Sequence, residues 1–292
     1  MKYVPPPIIP EDINVSKVNP LKQMGELLLS LVITVLAIYI ILGIAADFLV
    51  GHMSPERELA IGKSFIASTL ATSELKGDPR TPYVNELAVS LAASTDLEPE
   101  RQAIIEIFLI NNPQVNAAAF PGGQLIVTRG LLEQVESENE LSFVLGHEIG
   151  HFAARDSLRA MGRSLVFAVI LSNLGMSGSG ASTVSRVGQF TELTYRRGQE
   201  TAADEYALEA VIDRYGHGGH SLDFFENIKK LELGPDQLKR VAGYFSTHPM
   251  TQARIDRLNQ IAAENNWPMQ GEPTNPAIDL SASAPRPQVF PI

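Results

Sequence analysis

The longest hydrophobic run in the chain is LLLSLVITVLAIYIILGIAA, Leu27 to Ala46, twenty consecutive positions without a charge. A helix of that length covers about 30 Å of hydrocarbon, so the run predicts a transmembrane helix within residues 26–50. Two alternatives share the pattern: a cleaved signal peptide, whose apolar core is usually about 7–15 residues, and a buried core helix. Ahead of the run, residues 1–25 carry five prolines and scattered charges and predict a disordered tail. Behind it the pattern becomes amphipathic. SPERELAIGKSFIASTL, from Ser54, has a cap-like serine, proline at the first helical position and early glutamates. A second helix is predicted from Thr81-Pro82 through YVNELAVSLAAS. AIIEIFLI, residues 103–110, is short and β-branched and reads as a strand, while VNAAAF and QLIVTR flank PGG as a hairpin.

Helical periodicity resumes in SENELSFVLGHEIGHFAARDSLRAM, where Ser137 and Glu140 stand in capping-box spacing and one long helix is expected. Gly146 and Gly150 inside it cost about 1 kcal/mol each, which points to close packing at those positions. SLVFAVILSNLGM is apolar but too short to span a bilayer and predicts a buried or membrane-grazing helix, followed by a flexible loop at residues 177–183. QFTELTYRRGQETAADEYALEAVIDRYG predicts a helix ending at Gly216, and THPMTQARIDRLNQIAAEN another, opened by Pro249. Residues 265–292, rich in Pro and Ser, predict a second disordered tail. The part between, residues 51–264, is mainly α-helical with a small β-sheet, an α+β fold.

Composition removes several functions. The chain has 292 residues and a net charge of −10, with no Lys/Arg cluster of the kind that neutralises phosphates, so nucleic acid is not an expected partner. It has no cysteine, which excludes thiolate metal sites and a cysteine nucleophile. Any metal must be held by His, Asp or Glu.

That condition is met in FVLGHEIGHFAARD, residues 143–156. On a helix His147 and His151 lie one turn apart on one face and can direct both imidazoles at one ion, with Glu148 beside it. This is the HExxH arrangement, in which two neutral imidazoles ligate zinc and the glutamate takes the proton of the attacking water. The alternative, histidines on a solvated helix face, conflicts with Leu145, Ile149 and Phe152 crowding the same helix. A hydrolytic zinc needs a third protein ligand. Glu200 in RRGQETAADEYAL can supply it, with Asp204 on the same helix face to accept the free N–H of a histidine ligand. A solvated face is the plain reading of that pair, and His217 and His220 in YGHGGHS are rival ligands.

HEIGH, the downstream ETAAD, NAAAFPGGQLIVTRGLL before the first motif and STHPMTQARIDRL after the second together resemble one zinc metallopeptidase family, that of HtpX, the CAAX prenyl protease and the BepA-type proteases. The likeness runs over about residues 51–264. It implies a zincin-like fold, one zinc on His147, His151 and Glu200, and Glu148 as the catalytic group. It also implies that His248 lies near the metal, so His248 and Arg254 are candidate oxyanion donors, with His248 alternatively filling the fourth zinc position and keeping the enzyme latent. A turn histidine and a solvated arginine are the plain readings. An extended substrate needs a sheet edge, and Asn116, Ala117, Ala118, Ala119 and Phe120 are the candidate strand, unless they form an ordinary hairpin. The loop at 177–183 is a lid or a linker.

The HtpX and prenyl protease branches have several spans and this chain shows one, which argues against prenylated substrates. The expected function is a membrane-anchored zinc endopeptidase in membrane or envelope quality control, acting on unfolded or membrane-associated proteins and meeting lipid through residues 27–46. A narrow processing protease and a catalytically silent zinc-binding chaperone are the alternatives. Lys17 and Lys22 before the span nearly balance Arg57 and Lys63 after it, and Lys2 tips the N-terminus toward the cytoplasm. A single-pass protein of a bacterial inner membrane, with its catalytic domain outside the cytoplasm, follows. The sequence carries no signal for oligomeric state.

Overall fold

A computed structural model describes residues 19–173, 195, 197–230, 243–244, 246–249 and 251–282. The predicted loop at 177–183 and the start of the QFTELT segment lie outside them. Helix α1 spans Pro20–Gly51, longer than predicted because Asn19 accepts hydrogen bonds from the Leu21 and Lys22 N–H groups and Pro20 sits at N1. It is long and apolar enough to cross a membrane, and its apolar window is 0% buried. Helices α2 (Pro55–Ser73), α3 (Arg80–Ala93) and the short α4 (Pro99–Gln102) follow.

Strands β1 (Glu106–Ile110), β2 (Ala117–Phe120) and β3 (Gln124–Thr128) form one sheet in the order β1-β3-β2, with β3 parallel to β1 and antiparallel to β2. The hairpin turn is Pro121–Gly123, where Gly122 has φ 72° and lies flat against α2. A Cβ there would come within 2.3 Å of the Leu59 Cα, so both conformation and contact require glycine.

The chain continues as α5 (Arg129–Gln134), α6 (Glu138–Ala153), α7 (Asp156–Asn173), α8 (Arg197–Tyr215), α9 (Asp223–Lys230) and α10 (Gln252–Glu264). Every residue of α6 from Glu138 to Phe152 is buried, which makes it the central helix. Ser137 caps it through the Glu140 N–H, as the spacing predicts. The long helix expected through Met161 is broken, however. Arg155 takes φ 56°, and its guanidinium donates to the carbonyls of Val50 and Met53 at the end of α1. The break turns α7 back along α1 instead of letting it continue the line of α6.

The two interior glycines do bring a neighbour close. A Cβ on Gly146 would lie 3.0 Å from the Ala207 Cα, and one on Gly150 3.0 Å from the Ala203 Cα, so α6 and α8 pack backbone against backbone. Two further expectations are corrected. Helix α10 begins at Gln252 with Thr251 accepting from the Arg254 N–H, so Thr251 and not Pro249 opens it. Residues 265–282, expected to be disordered, run as an extended strap over the core. Trp267, Met269, Ile278 and Leu280 anchor the strap in the core. Its backbone is tied by Gly218 N–H to Pro268 O, Glu138 N–H to Thr274 O, and the Arg80 guanidinium to Leu280 O. Spaced apolar anchors and free donors at helix ends outweigh a Pro-rich composition here.

Candidate metal centre

The approach of α8 to α6 sets Glu200 against the HExxH turn. His147 and His151 face each other with their Nε2 atoms 3.1 Å apart, and the His248 Nδ1 lies 3.1 Å from the His147 Nε2 and 3.1 Å from the Glu200 Oε1. His151 Nε2 is 3.5 Å from the Glu200 Oε1, and His147 Nε2 is 3.6 Å from its Oε2. Each of His147, His151, Glu200 and His248 contributes one donor atom, all four atoms lie within 4.8 Å of one another, and all four residues are buried. Ligands around a tetrahedral zinc stand roughly 3.3 Å apart, given Zn–N and Zn–O bonds of about 2.0–2.2 Å. Imidazole and carboxylate donors also suit that ion. The residues fit zinc. His217 and His220 belong elsewhere: the His217 Nδ1 accepts from the Gly219 N–H, and the His220 Nδ1 pairs with the Asp223 Oδ2 at 2.7 Å.

Carboxylates on the outer side orient the rings. Asp204 Oδ1 is 3.0 Å from the His147 Nδ1, and Asp156 Oδ2 is 2.9 Å from the His151 Nδ1. Asp156 was not singled out from the sequence, although its place five residues after His151 at a helix start is a usable signal. Burial pulls the His147 pKa down. It pulls on His151 too, but the hydrogen bonds to Asp156 and Glu200 win and push that group up to about 9. Burial alone would raise Glu200, yet hydrogen bonds from His151 and His248 and the charge of His147 hold it well below the ordinary carboxylate range. Asp204 is likewise held low against burial by Arg254 and His147.

Arg254 does not face the ring cluster as a free donor. Its Nε and Nη2 grip the Asp204 carboxylate at 2.7 and 2.6 Å, and Nη1 lies 2.6 Å from the Glu200 Oε2. Glu148 is fully buried beside the cluster. Its Oε2 accepts the Ala119 N–H at 2.9 Å, and its Oε1 has no hydrogen-bond partner among the described residues. His248 Nε2 stands 3.4 Å from that free oxygen. Two aromatic rings line the centre that the sequence did not reveal: Tyr195 stacks on His151 with centroids 3.9 Å apart, and Tyr244 on His248 at 4.9 Å. Tyr244 could have been found from its spacing, one helical turn before His248.

The candidate substrate strand lies at the sheet edge but is not open. Since Asn116 O accepts the Thr128 N–H, the alternation of an antiparallel pair turns the backbone groups of Ala117 and Ala119 away from β3. Those of Ala119 are already taken, the N–H by Glu148 and the C=O by the Ser157 hydroxyl, and Ala117, Ala119 and Phe120 are buried. Asn116 and Ala118 are half-buried. At Ala119 the expected open edge is therefore covered in this structure, by the Glu148 side chain of α6 and the Ser157 side chain of α7.

A mainly helical domain that carries HExxH on its central helix and a glutamate from a later helix defines a gluzincin-type metal centre. Residues 78–262 match the model of peptidase family M48, and the chain belongs to that family of zinc metallopeptidases. It is 27% identical over 231 residues to a beta-barrel assembly-enhancing protease of Yersinia pestis, a match covering 72% of this chain and 45% of that protein. It is 30% identical over 155 residues to the mitochondrial metalloendopeptidase OMA1 of Arabidopsis thaliana, covering 53% of this chain and 31% of the relative. The metalloprotease YcaL of Escherichia coli is 29% identical over 155 residues, covering 51% and 59%. The chain thus spans about half or less of the length of the first two relatives.

Proposed function

We propose that this protein is a membrane-anchored zinc endopeptidase that cleaves unfolded or membrane-associated proteins in envelope quality control. The observation that carries this reading is the buried convergence of His147, His151, Glu200 and His248 beside a carboxylate with one free oxygen. His147, His151 and Glu200 are the zinc ligands in this proposal. A zinc ion held there would supply the Lewis acidity needed to polarise a scissile carbonyl and to activate water near neutral pH. Glu148 takes the water proton on its free Oε1 and returns it to the leaving amine, while the Ala119 N–H fixes its other oxygen. Asp204 and Asp156 fix the tautomers of the two ring ligands, and Arg254 positions Asp204 and Glu200. Helix α1 is the anchor, and Lys2, ahead of a span whose nearer flanking charges balance, tips the domain to the extracytoplasmic side.

The full chain in detergent should cleave a generic unfolded protein, lose that activity with a strong chelator and regain it with stoichiometric zinc. Activity that survives complete zinc removal would defeat the proposal. Asp204→Asn should weaken zinc binding by about 10–100-fold in a chelator competition, the usual cost of losing a ligand's orienting carboxylate.

His248 would help hold the zinc as a plug that a substrate must displace, a reading supported by its Nδ1 sitting within the donor group. His248→Ala should then raise the rate of cleavage at equal zinc content. A loss of rate would instead favour an oxyanion donor.

A further inference from the structure

We infer that the second half of α7, residues 164–173, is embedded in the acyl-chain region of the bilayer beside α1, reaching about half way across without spanning it. This rests on the reading of α1 as a membrane helix. The two helices run antiparallel in fixed register. Gly162 meets Ala46, with a Cβ on the glycine falling 3.4 Å from the alanine's, and Arg163 Nη1 pairs with Asp47 Oδ2 at 3.1 Å. Further along, the Phe167 ring meets Tyr39 edge-on at 6.3 Å between centroids. Arg163 is the last charge of α7, Asp156 and Arg159 lie on the domain side of that ion pair, and none follows through Asn173.

Beyond the ion pair the exposed surface is apolar. Leu165, Phe167 and Val169 are 44, 46 and 55% exposed. Leu31, Val35, Leu36 and Tyr39 of α1 form with Phe167 and Ile170 a groove of about 620 Å³. Contiguous apolar surface of this extent is unfavourable in water, and its occupant must be apolar too. Lipid acyl chains fit best because the groove is continuous with the charge-free length of α1 that ends at Asp47. Ten residues at 1.5 Å rise reach about 15 Å, half of a core of about 30 Å. Asp156, which orients His151, lies seven residues before Arg163, so the metal centre sits within about 10–15 Å of the bilayer surface. The enzyme is thereby placed to meet substrates presented at that surface.

The chain lacks cysteine, so single cysteines label uniquely. The full chain carrying Val169→Cys, Ile40→Cys on α1 or Val89→Cys on α3 is labelled with an environment-sensitive fluorophore and reconstituted in phosphatidylcholine vesicles with or without acyl-chain nitroxide lipid. Labels at 169 and 40 should be quenched by the nitroxide and blue-shifted, and that at 89 should be neither. A label at 169 that behaves like 89 while 40 is quenched overturns the insertion of α7 and leaves the anchor standing. If 40 is also unquenched, the anchor reading and this inference both fall. Leu165→Cys serves in the same way should the change at 169 prevent folding.

Discussion

Glu148→Gln should bind zinc as the parent chain does and cleave substrate about 10²–10⁴-fold more slowly, the range supplied by a positioned general acid–base. Glu148 is not one of the four converging donors: its Oε2 is occupied by the Ala119 N–H, and its Oε1, 3.4 Å from the His248 Nε2, has no hydrogen-bond partner among the described residues. The glutamine oxygen can still accept from Ala119, so the side chain stays in place and the fold is undisturbed. The amide cannot accept a proton at the free position. Metal analysis and a cleavage assay on the same preparation separate the outcomes. Cleavage at the parental rate would remove Glu148 from the mechanism, whereas loss of zinc would make it a ligand.

The core of the site was legible because helix geometry and donor chemistry are local properties. Two histidines four apart converge on any helix, and Gly146 and Gly150 in an otherwise strong helix announce that another backbone comes close. Which helix comes close is a long-range fact. The sequence favoured Glu200 over the YGHGGHS histidines, whose glycine-rich loop lacks rigidity, and the packing of α8 on α6 is what brings the glutamate to the two rings. Arg254 was read as a donor toward substrate, since a lone arginine has no visible partner in one dimension. Fifty residues earlier in the chain, Asp204 takes both arms of its guanidinium.

Composition misled where a few anchors decide the outcome. The PMQGEPTNPAIDL segment has the Pro-rich, low-complexity look of a solvated tail, but the neighbouring Trp267 and its own Met269, Ile278 and Leu280 each find the core, and the Thr274 carbonyl accepts the Glu138 N–H at the buried start of α6. The break at Arg155 was invisible for a different reason. A non-glycine residue at positive φ is unfavourable locally and is held there by contacts to Val50, Met53 and Glu58, all about a hundred residues away.

Gly150→Leu should abolish zinc binding at micromolar free zinc and lower the melting temperature strongly. The added Cβ would stand 3.0 Å from the Ala203 Cα and 3.2 Å from the Tyr206 Cβ, and the rest of the side chain has no space between the two helices. Overpacking of this kind typically costs 1–3 kcal/mol and more where backbone must shift, against a net stability of about 5–15 kcal/mol. The relief available is to move α8 outward, and Ala203 lies one turn from Glu200 on that helix. His147 and His151 would remain on α6 while their carboxylate partner retreats, and His248, held 3.1 Å from Glu200, loses that anchor with it, leaving two well-placed protein ligands where a catalytic zinc needs three. Gly198→Ala is the control: it sits on α8 two residues before Glu200 with nothing among the described residues within 4 Å of its added Cβ, and it should leave both zinc affinity and melting temperature unchanged. Tight zinc binding retained by the Gly150→Leu chain would show that the backbone contact between α6 and α8 does not set the ligand geometry.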